Sequence, residues 1–308
     1  MFVSAAGVSY FEGDWAYYDS LWWSIVTLTT VGYGDISPSS LGGRLIGITI
    51  MLLGIGILGM LTASIASIFV ERKMKEERGM SSFDFNEHII ICEWNSRARA
   101  ILAELRRDVR SAEKPVILIA NLDIKPVEDD DLFFIKGRVN EENLQRAHLQ
   151  KAATVIILGN DNLDEDASDA QAVLAALTVE SINRAAYSIV ELFNESNVRH
   201  CQRAGTDEII IGSEFSSKLI TRAALDHGIT KVMSEILSSN FGNDLVKVSL
   251  PEELVGKEFI EVMTEMKRQR QATVLGVQKN GDVISNPPSD LITEAGDDLI
   301  VIAPQRPT

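Results

Sequence analysis

Thr29-Thr30-Val31-Gly32-Tyr33-Gly34-Asp35 is followed, ten residues on, by Leu45 to Val70, a run without one charged residue. About 20 apolar residues, rising 1.5 Å each, span the hydrocarbon core of a bilayer, so this run is long enough to cross with some tilt. Gly47, Gly54, Gly56 and Gly59 fall inside it. They would weaken a water-soluble helix, whereas in a membrane helix they permit close packing or bending. A buried helix of a large soluble core is the other reading. The next residues argue against it: Glu71-Arg72-Lys73-Met74-Lys75 and then Arg78. A basic cluster just past a membrane helix marks the cytoplasmic end, so the helix runs from outside to inside.

In the short stretch ahead of the helix, glycines alternate with Val31 and Tyr33. Glycine adopts backbone angles that other residues avoid. A ladder of carbonyls can therefore face one way while Val31 and Tyr33 point the other way and pack against protein. Thr30 can add its hydroxyl as one more oxygen layer. The residues just upstream fit a short re-entrant helix, with Asp19 or Ser20 expected to cap its start. Trp22, Trp23, Ile25, Val26 and Leu28 supply its apolar faces. Its C-terminal end carries partial negative charge, which favours a cation. Non-helical backbone at membrane depth is tolerated only when buried in protein or lining water. The tryptophan pair reads either as an interfacial belt or as packing behind the loop; nearness to Tyr33 favours packing.

The order Thr-Val-Gly-Tyr-Gly is the signature of potassium-channel filters, where four copies replace the hydration shell of K+ with carbonyl oxygens. On these residues the first part of the chain resembles the pore of two-helix prokaryotic potassium channels. The resemblance implies K+ as permeant ion and Thr30, Val31, Gly32, Tyr33 and Gly34 as selectivity filter. It also implies a homotetrameric pore among membrane lipid, multi-pass in the cell (inner) membrane of a prokaryote. Gly54 matches the family's gating-hinge glycine by its spacing from the filter, and close helix packing is its alternative role. An outer helix precedes the pore helix in that family, and Phe2 to Phe11 has length for only its last turns. The expectation is therefore a truncated chain or a start placed too late. Met1 to Tyr10 has no basic n-region or cleavage site and is not read as a signal peptide.

Length and composition bound the rest. The 308 residues leave room for about two domains. A net charge of -15 argues against a nucleic-acid partner, which needs a basic footprint. Cys92 and Cys201 have neither metal-ligand spacing nor a disulfide framework, so a reducing cytosol suits that part of the chain.

Beyond the linker the hydrophobic period changes. Apolar runs at 88–92, 115–120, 132–135, 154–158, 188–192 and 208–211 read as buried strands. Helical patterns at 98–107, 141–149, 167–182 and 196–204 lie between them. Continuous apolar strands alternating with helices mean a parallel sheet covered on both faces. The fold class expected is thus an α-helical membrane pore module (re-entrant pore helix, filter, inner helix), then an α/β Rossmann-like domain and a small α+β C-terminal lobe. Residues 215–237 read as helix interrupted by Gly228. Strands at 245–250, 273–277 and 299–303, with an Asn280-Gly281 hairpin turn, make up the last lobe.

In a doubly wound sheet, ligands sit at the carboxyl ends of the strands. The first strand-to-helix turn would carry Gly-x-Gly-x-x-Gly in a dinucleotide fold; here it reads Glu93-Trp94-Asn95-Ser96-Arg97-Ala98. Side chains crowd the place where pyrophosphate meets backbone N–H groups. Glu93 would repel phosphate and Arg97 would attract it. Asn121 or Asp123, after the second strand, is placed to hold a ribose. Nucleotide binding through Trp94, Asn95, Ser96, Arg97, Asn121 and Asp123 stands beside the alternative of a structural remnant.

The order of pore, Rossmann-like lobe and C-terminal lobe, with the closing Gly296-Asp297-Asp298-Leu299-Ile300-Val301, resembles channels with a regulator-of-potassium-conductance (RCK) domain. The division is 1–70 pore module, 71–85 linker, 86–212 Rossmann-like N-lobe, 213–244 crossover and dimerisation helices, and 245–308 C-lobe. The resemblance implies a cytoplasmic RCK octameric ring beneath the tetramer, some subunits supplied from an internal start at Met74 or Met80. Family members respond to Ca²⁺ or to nucleotides such as NAD or ADP. Glu191 matches the first of two strand carboxylates that bind Ca²⁺ in an archaeal relative; the second falls on Phe193, which cannot ligate. Asp161, Asp164, Glu165, Asp166, Asp169 and Glu195 lie nearby, and a solvated acidic face is the other account of them. An oxidoreductase would need an intact cofactor turn and a placed acid or base. The histidines are scattered and expected on surfaces, so no enzyme is read here. A non-conducting nucleotide-sensing subunit of a K+ transport system is the remaining alternative, and it has no use for Val31-Gly32-Tyr33-Gly34.

Overall fold

A computed structural model describes residues 1–238 and 242–304. Residues 239–241 of the expected crossover region and the last four of the expected C-lobe lie outside the described residues. The chain forms two compact units, one of Met1–Glu77 and one from Arg78 onward.

The first unit holds three helices, α1 (Phe2–Phe11), α2 (Tyr17–Leu28) and α3 (Leu41–Glu77). With 37 residues, α3 runs about 55 Å at 1.5 Å per residue. Among the described residues it is the one helix long and apolar enough to cross a membrane. It passes unbroken through Gly54 and outlasts the apolar run by two turns. Those turns are supported by pairs one helical turn apart, Arg72–Glu76 at 3.4 Å and Lys75–Glu71 at 2.8 Å. Its buried positions are Gly43, Gly47, Ile50 and Gly54. A face of small residues lets helix backbones approach where apolar lipid gives no hydrophobic drive. Val8, Trp23 and Ile50 form the small core, with Trp15, Leu28, Ile36 and Ile46 against it. Neither expected capping residue caps α2. The helix starts at Tyr17 after Ala16, Asp19 lies in its first turn and Ser20 is buried. Asp19 still meets the positive end of the helix dipole from there.

The second unit opens with β1 (His88–Cys92), α4 (Ser96–Arg107), β2 (Val116–Ala120), β3 (Leu132–Lys136), α5 (Glu141–Arg146) and β4 (Ala152–Ile157). It continues with α6 (Glu165–Ile182), β5 (Tyr187–Leu192), α7 (Val198–Ala204) and β6 (Glu208–Ile211). The sheet order is β3-β2-β1-β4-β5-β6, every neighbouring pair parallel. This is the doubly wound order. Every residue of β1 and β2 is buried, as a strand covered on both faces requires. One core gathers Ile90, Ile117, Ile135, Leu144 and Val179; the other gathers Ile91, Leu102, Leu118, Leu132 and Phe134. Two helices are shorter than their patterns suggest. α5 stops at Arg146 because His148 takes a left-handed conformation (φ 53) before a 3-10 turn at Leu149–Lys151. Glu195–Asn197 is likewise a 3-10 turn leading into α7.

Next come α8 (Gly212–Leu225) and α9 (Ile229–Ile236), with Gly228 (φ 97) between them; neither contains a buried residue. The chain closes with β7 (Asp244–Ser249), α10 (Phe259–Arg270), β8 (Thr273–Lys279), β9 (Asp282–Ser285) and β10 (Asp298–Ala303). They build an antiparallel sheet of order β7-β10-β8-β9 with α10 packed on one face through Phe259, Val262 and Met266. The β8–β9 turn has positive φ at both Asn280 (50) and Gly281 (91), the hairpin geometry that Asn-Gly favours.

Candidate functional site

Two places carry the sequence-predicted residues, one in each unit. In the first, the C-terminal end of α2 feeds the loop 30–34. The amides of Val31 and Gly32 both donate to the Val26 carbonyl, at 3.0 and 3.3 Å. Backbone hand then alternates: φ is positive at Thr30 (61), Gly32 (58) and Gly34 (74). Alternate left- and right-handed residues turn successive carbonyls toward one side, which an ordinary strand cannot do. Glycine takes this conformation freely, whereas threonine is strained in it. Thr30, Val31, Gly32, Tyr33 and Gly34 are all exposed in the single chain.

Tyr33 is backed by Trp22. The rings stack at 6.0 Å and 8°, and the Trp22 Nε1–H donates to Asp35 Oδ2 at 2.9 Å. The tryptophan pair divides its labour, for Trp23 turns inward, edge-on to Trp15 at 6.2 Å. A Cβ at Gly47 would come within 3.1 Å of the Trp23 ring. Gly54 faces the end of α2: a Cβ there would sit 2.5 Å from the Leu28 carbonyl oxygen. Close packing thus has a partner at Gly54, in a helix that continues unbroken through it.

Sequence reasoning missed Glu12. Its carboxylate accepts from Ser39 N (3.1 Å), Ser39 Oγ (2.9 Å), Ser40 N (2.9 Å) and Ser40 Oγ (2.7 Å). It thereby holds Ser40, whose Oγ caps α3 by accepting the Gly43 amide at 3.0 Å, and the Ser40 and Ser39 hydrogen bonds hold the Glu12 pKa down to about 2. No capping motif signals a partner 28 positions away.

The second place is the end of β1, β4 and β5. Glu93 occupies the turn where a glycine would serve, with φ 74. Its carboxyl is pushed up by burial, and Gln171 donates to it at 3.0 Å. Asn95 caps α4 by accepting from the Ala98 amide (2.9 Å) and donates to the Gly159 carbonyl (2.9 Å). Ser96 starts α4, and Trp94 is half-buried against the core under Arg99. Arg97 reaches across the strand ends to Glu191 Oε1 (2.7 Å) and Asp161 Oδ1 (2.6 Å), with its guanidinium 5.6 Å over the Phe193 ring. Glu191 also accepts from the Gly159 amide at 3.0 Å.

The features that a pyrophosphate would use are therefore taken internally. A carboxylate replaces the glycine, a side chain caps the helix N-terminus, and the local cation is paired with two acids. Asn121 is exposed, and Asp123 is held by Lys136 Nζ at 2.7 Å.

Several of the nearby acids have structural tasks. Asp164 caps α6. Asp169, fully buried, accepts from Phe193 N (2.8 Å), Asn194 N (2.9 Å) and Asn197 Nδ2 (2.8 Å). Glu195 lines a separate cleft of about 380 Å³ with Val198, Arg199, Gln202, Ile209, Ile211 and Glu214. Among the described residues no three His, Cys, Asp or Glu side chains converge as a metal cage. His88 departs from the surface position expected of it, being fully buried under Phe85.

A helical unit ending a pore-type helix in an alternating-handed loop, followed by a doubly wound lobe and a small sheet, defines an ion channel with a regulatory domain. Residues 1–71 match the ion channel family, residues 84–190 the calcium-activated potassium channel slowpoke-like RCK domain, and residues 213–308 the family described as Castor and Pollux, part of voltage-gated ion channel. The chain is 35% identical over 241 residues to the calcium-gated potassium channel TvoK of Thermoplasma volcanium, covering 77% of this chain and 68% of TvoK. It is 28% identical over 276 residues to the putative potassium channel protein YugO of Bacillus subtilis, covering 88% and 82%. The human SLO3 gating ring shares the fold, with a TM-score of 0.57 at 17% identity over 71% of this chain and 44% of that one. The chain belongs to the prokaryotic potassium channels that carry an RCK domain, membrane proteins and not enzymes.

Proposed function

We propose that the chain conducts K+ passively through a filter made of residues 30–34 from four copies, gated by ligand binding to a cytoplasmic RCK ring. The observation that carries this reading is the alternation of positive φ at Thr30, Gly32 and Gly34. Carbonyls so turned lie exposed in one chain, and a ring of four such loops would complete their coordination of a dehydrated K+. The Trp22–Tyr33 stack and the Trp22–Asp35 hydrogen bond support the loop from behind. Gly54 serves as the packing point between α3 and the pore helix, and any hinge acts from there.

Ca²⁺ is the ligand we favour over NAD or ADP. TvoK is described as calcium-gated. The strand-end cleft already holds one cation, the Arg97 guanidinium, between Glu191 and Asp161, so its nearest cationic donor is engaged before any phosphate arrives. Glu191 contributes to Ca²⁺ binding only after Arg97 has moved off it.

The test is K+ flux in liposomes with Ca²⁺, NAD and ADP added separately and Na+ as the control ion. K+-selective flux changed by Ca²⁺ and insensitive to both nucleotides supports the reading. A response to NAD or ADP refutes the ligand assignment, and absent K+ flux from intact tetramers refutes conduction. Retained Ca²⁺ sensitivity in Glu191→Gln removes Glu191 from the site.

A further inference from the structure

Residues 79–87, just past α3, read as linker for most of their length in sequence. In the structure they lie as a strap along the β3 side of the sheet, without regular strand pairing. Exposure alternates along the strap: Gly79 is buried and Ser81, Phe83 and Phe85 are half-buried, while Met80, Ser82, Asp84 and Asn86 are exposed. That period of two is the mark of a chain lying flat on a surface. Phe83 and Phe85 stack at 6.2 Å and 8°, and both lean on Phe133 of β3, at 5.0 and 4.5 Å.

Arg146 fastens the near half of this strap. Arg146, in the last turn of α5, donates through Nη2 to the carbonyls of Gly79 (2.6 Å) and Ser81 (2.9 Å). Its own carbonyl accepts the Phe83 amide at 2.9 Å. Arg146 Nη1 donates to Asn143 Oδ1 at 2.9 Å, which fixes the guanidinium from behind. A planar fork bonded on both sides has little freedom to swing. The far end of the strap is tied by Glu87 N to the Lys151 carbonyl (2.9 Å) and by Lys151 Nζ to Asp84 (2.8 Å). The near end admits only glycine. Gly79 has φ 67, its carbonyl accepts the Lys136 amide at 3.1 Å, and a Cβ would collide with that amide nitrogen. Only Arg78 separates this docked residue from Glu77, the last residue of α3.

We propose that Arg146 is a positioning residue for gating: it makes the segment leaving the pore-lining helix a fixed part of the regulatory lobe, so that movement of the lobe reaches the helix. The proposal rests on the reading that the lobe gates the pore.

The test uses the full channel in lipid, with Arg146→Gln and, independently, Gly79→Val. Amide exchange at Phe83 and Glu87 reads the strap, exchange at Ile90 and Ile91 reads the lobe core, and K+ flux with and without Ca²⁺ reads the pore. Both variants are expected to speed strap exchange by about 100-fold while core exchange stays put. The Ca²⁺-dependent change in flux should fall by about tenfold, with K+ over Na+ selectivity kept. Arg146→Lys, which keeps the charge but loses the fork, should recover part of the response. Unchanged strap exchange in both variants overturns the docking. Faster exchange with a wild-type Ca²⁺ response overturns the coupling. If the unmodified channel ignores Ca²⁺, the ligand reading fails by itself. Basal flux then decides the coupling: a shift in both variants upholds it and equal flux overturns it.

Discussion

The two units treat glycine in opposite ways. In the loop of the first, Gly32 and Gly34 hold the positive φ that the backbone needs. In the first turn of the second, Glu93 sits at φ 74 where a nucleotide-binding relative of the fold would use glycine. The contrast follows from which atoms do the work. A filter uses main-chain carbonyls, so its demand on sequence is conformational and the glycines stay. The strand-end cleft uses side chains, so the glycines are gone and Asn95, Arg97 and Glu191 fill the space. The units differ in completeness too. The Rossmann-like lobe has a core on each face of its sheet, whereas the main cluster of the pore unit is Val8, Trp23 and Ile50, and its loop stays uncovered.

The largest effect is expected from breaking this contrast in the pore. Gly32→Ala places a Cβ at φ 58, where an L-residue is strained by roughly 1–2 kcal/mol in each copy. Nothing lies within 4 Å of that Cβ in the single chain, so the strain is conformational and not steric. K+ flux in liposomes should fall by about three orders of magnitude or more with tetramers intact on gels, since four strained copies add to at least about 4 kcal/mol. The matching change in the lobe, Glu93→Gly, should instead raise its melting temperature by a few degrees, the same strain being relieved once. Equal tolerance of both changes would end the comparison.

A second test separates packing from open space along α3. Gly54→Ala drives a Cβ to 2.5 Å from the Leu28 carbonyl, while Gly56 and Gly59 have nothing within 4 Å. Displacing the end of α2 should cost about 1–3 kcal/mol and lower the temperature at which tetramers and K+ flux survive. Gly56→Ala should leave both nearly unchanged. A Gly54→Ala channel that keeps its heat stability and loses only opening would favour the hinge over the packing role.

These differences explain what could be read from the residues alone. The long apolar helix, the parallel Rossmann-like sheet and the Asn280-Gly281 hairpin were legible because each rests on local pattern: length, period, turn chemistry. Glu12 with Ser39 and Ser40, Arg97 with Glu191, and Arg146 with Gly79 were not, because each joins residues 27 to 94 positions apart. Polar pairs of that span leave no period. The Asp19 or Ser20 cap failed for a related reason: the entry of the chain from Trp15 and Ala16 sets the start of α2 earlier than the best capping side chain.

Arg97 offers a smaller, sharper test of the cleft. Arg97→Ala removes the cation between Glu191 and Asp161 and should destabilise the lobe by about 1 kcal/mol, the pair being partly screened by solvent. Two carboxylates then lose the cation between them. Millimolar Ca²⁺ should raise the melting temperature of Arg97→Ala more than that of the unaltered chain. An equal rise in both would detach Glu191 from Ca²⁺ binding and leave the cleft as a purely internal lock.

The smallest effect concerns His88, at the root of the strap. Burial is the main cause that lowers its pKa from 6.5, opposed by hydrogen bonding toward the Ala147 and Phe85 carbonyls. Nε2 lies 2.9 Å from the Ala147 carbonyl, while Nδ1 is buried without a well-formed hydrogen bond. A second proton, on Nδ1, would therefore be poorly satisfied, and the folded lobe prefers the neutral ring. Its contribution to stability is complete above the unfolded value of 6.5 and is lost as pH falls from there through the lower folded value. The loss sets in below pH 6.5, where unfolding takes up a proton that the folded ring disfavours. His88→Gln keeps a donor for Ala147 and cannot titrate, so its urea midpoint should be flatter over that range. The pore unit contains no histidine, so acid in this range should weaken the regulatory lobe and spare the filter. Ca²⁺-free K+ selectivity that changes with pH as steeply as lobe stability would show the two units responding as one.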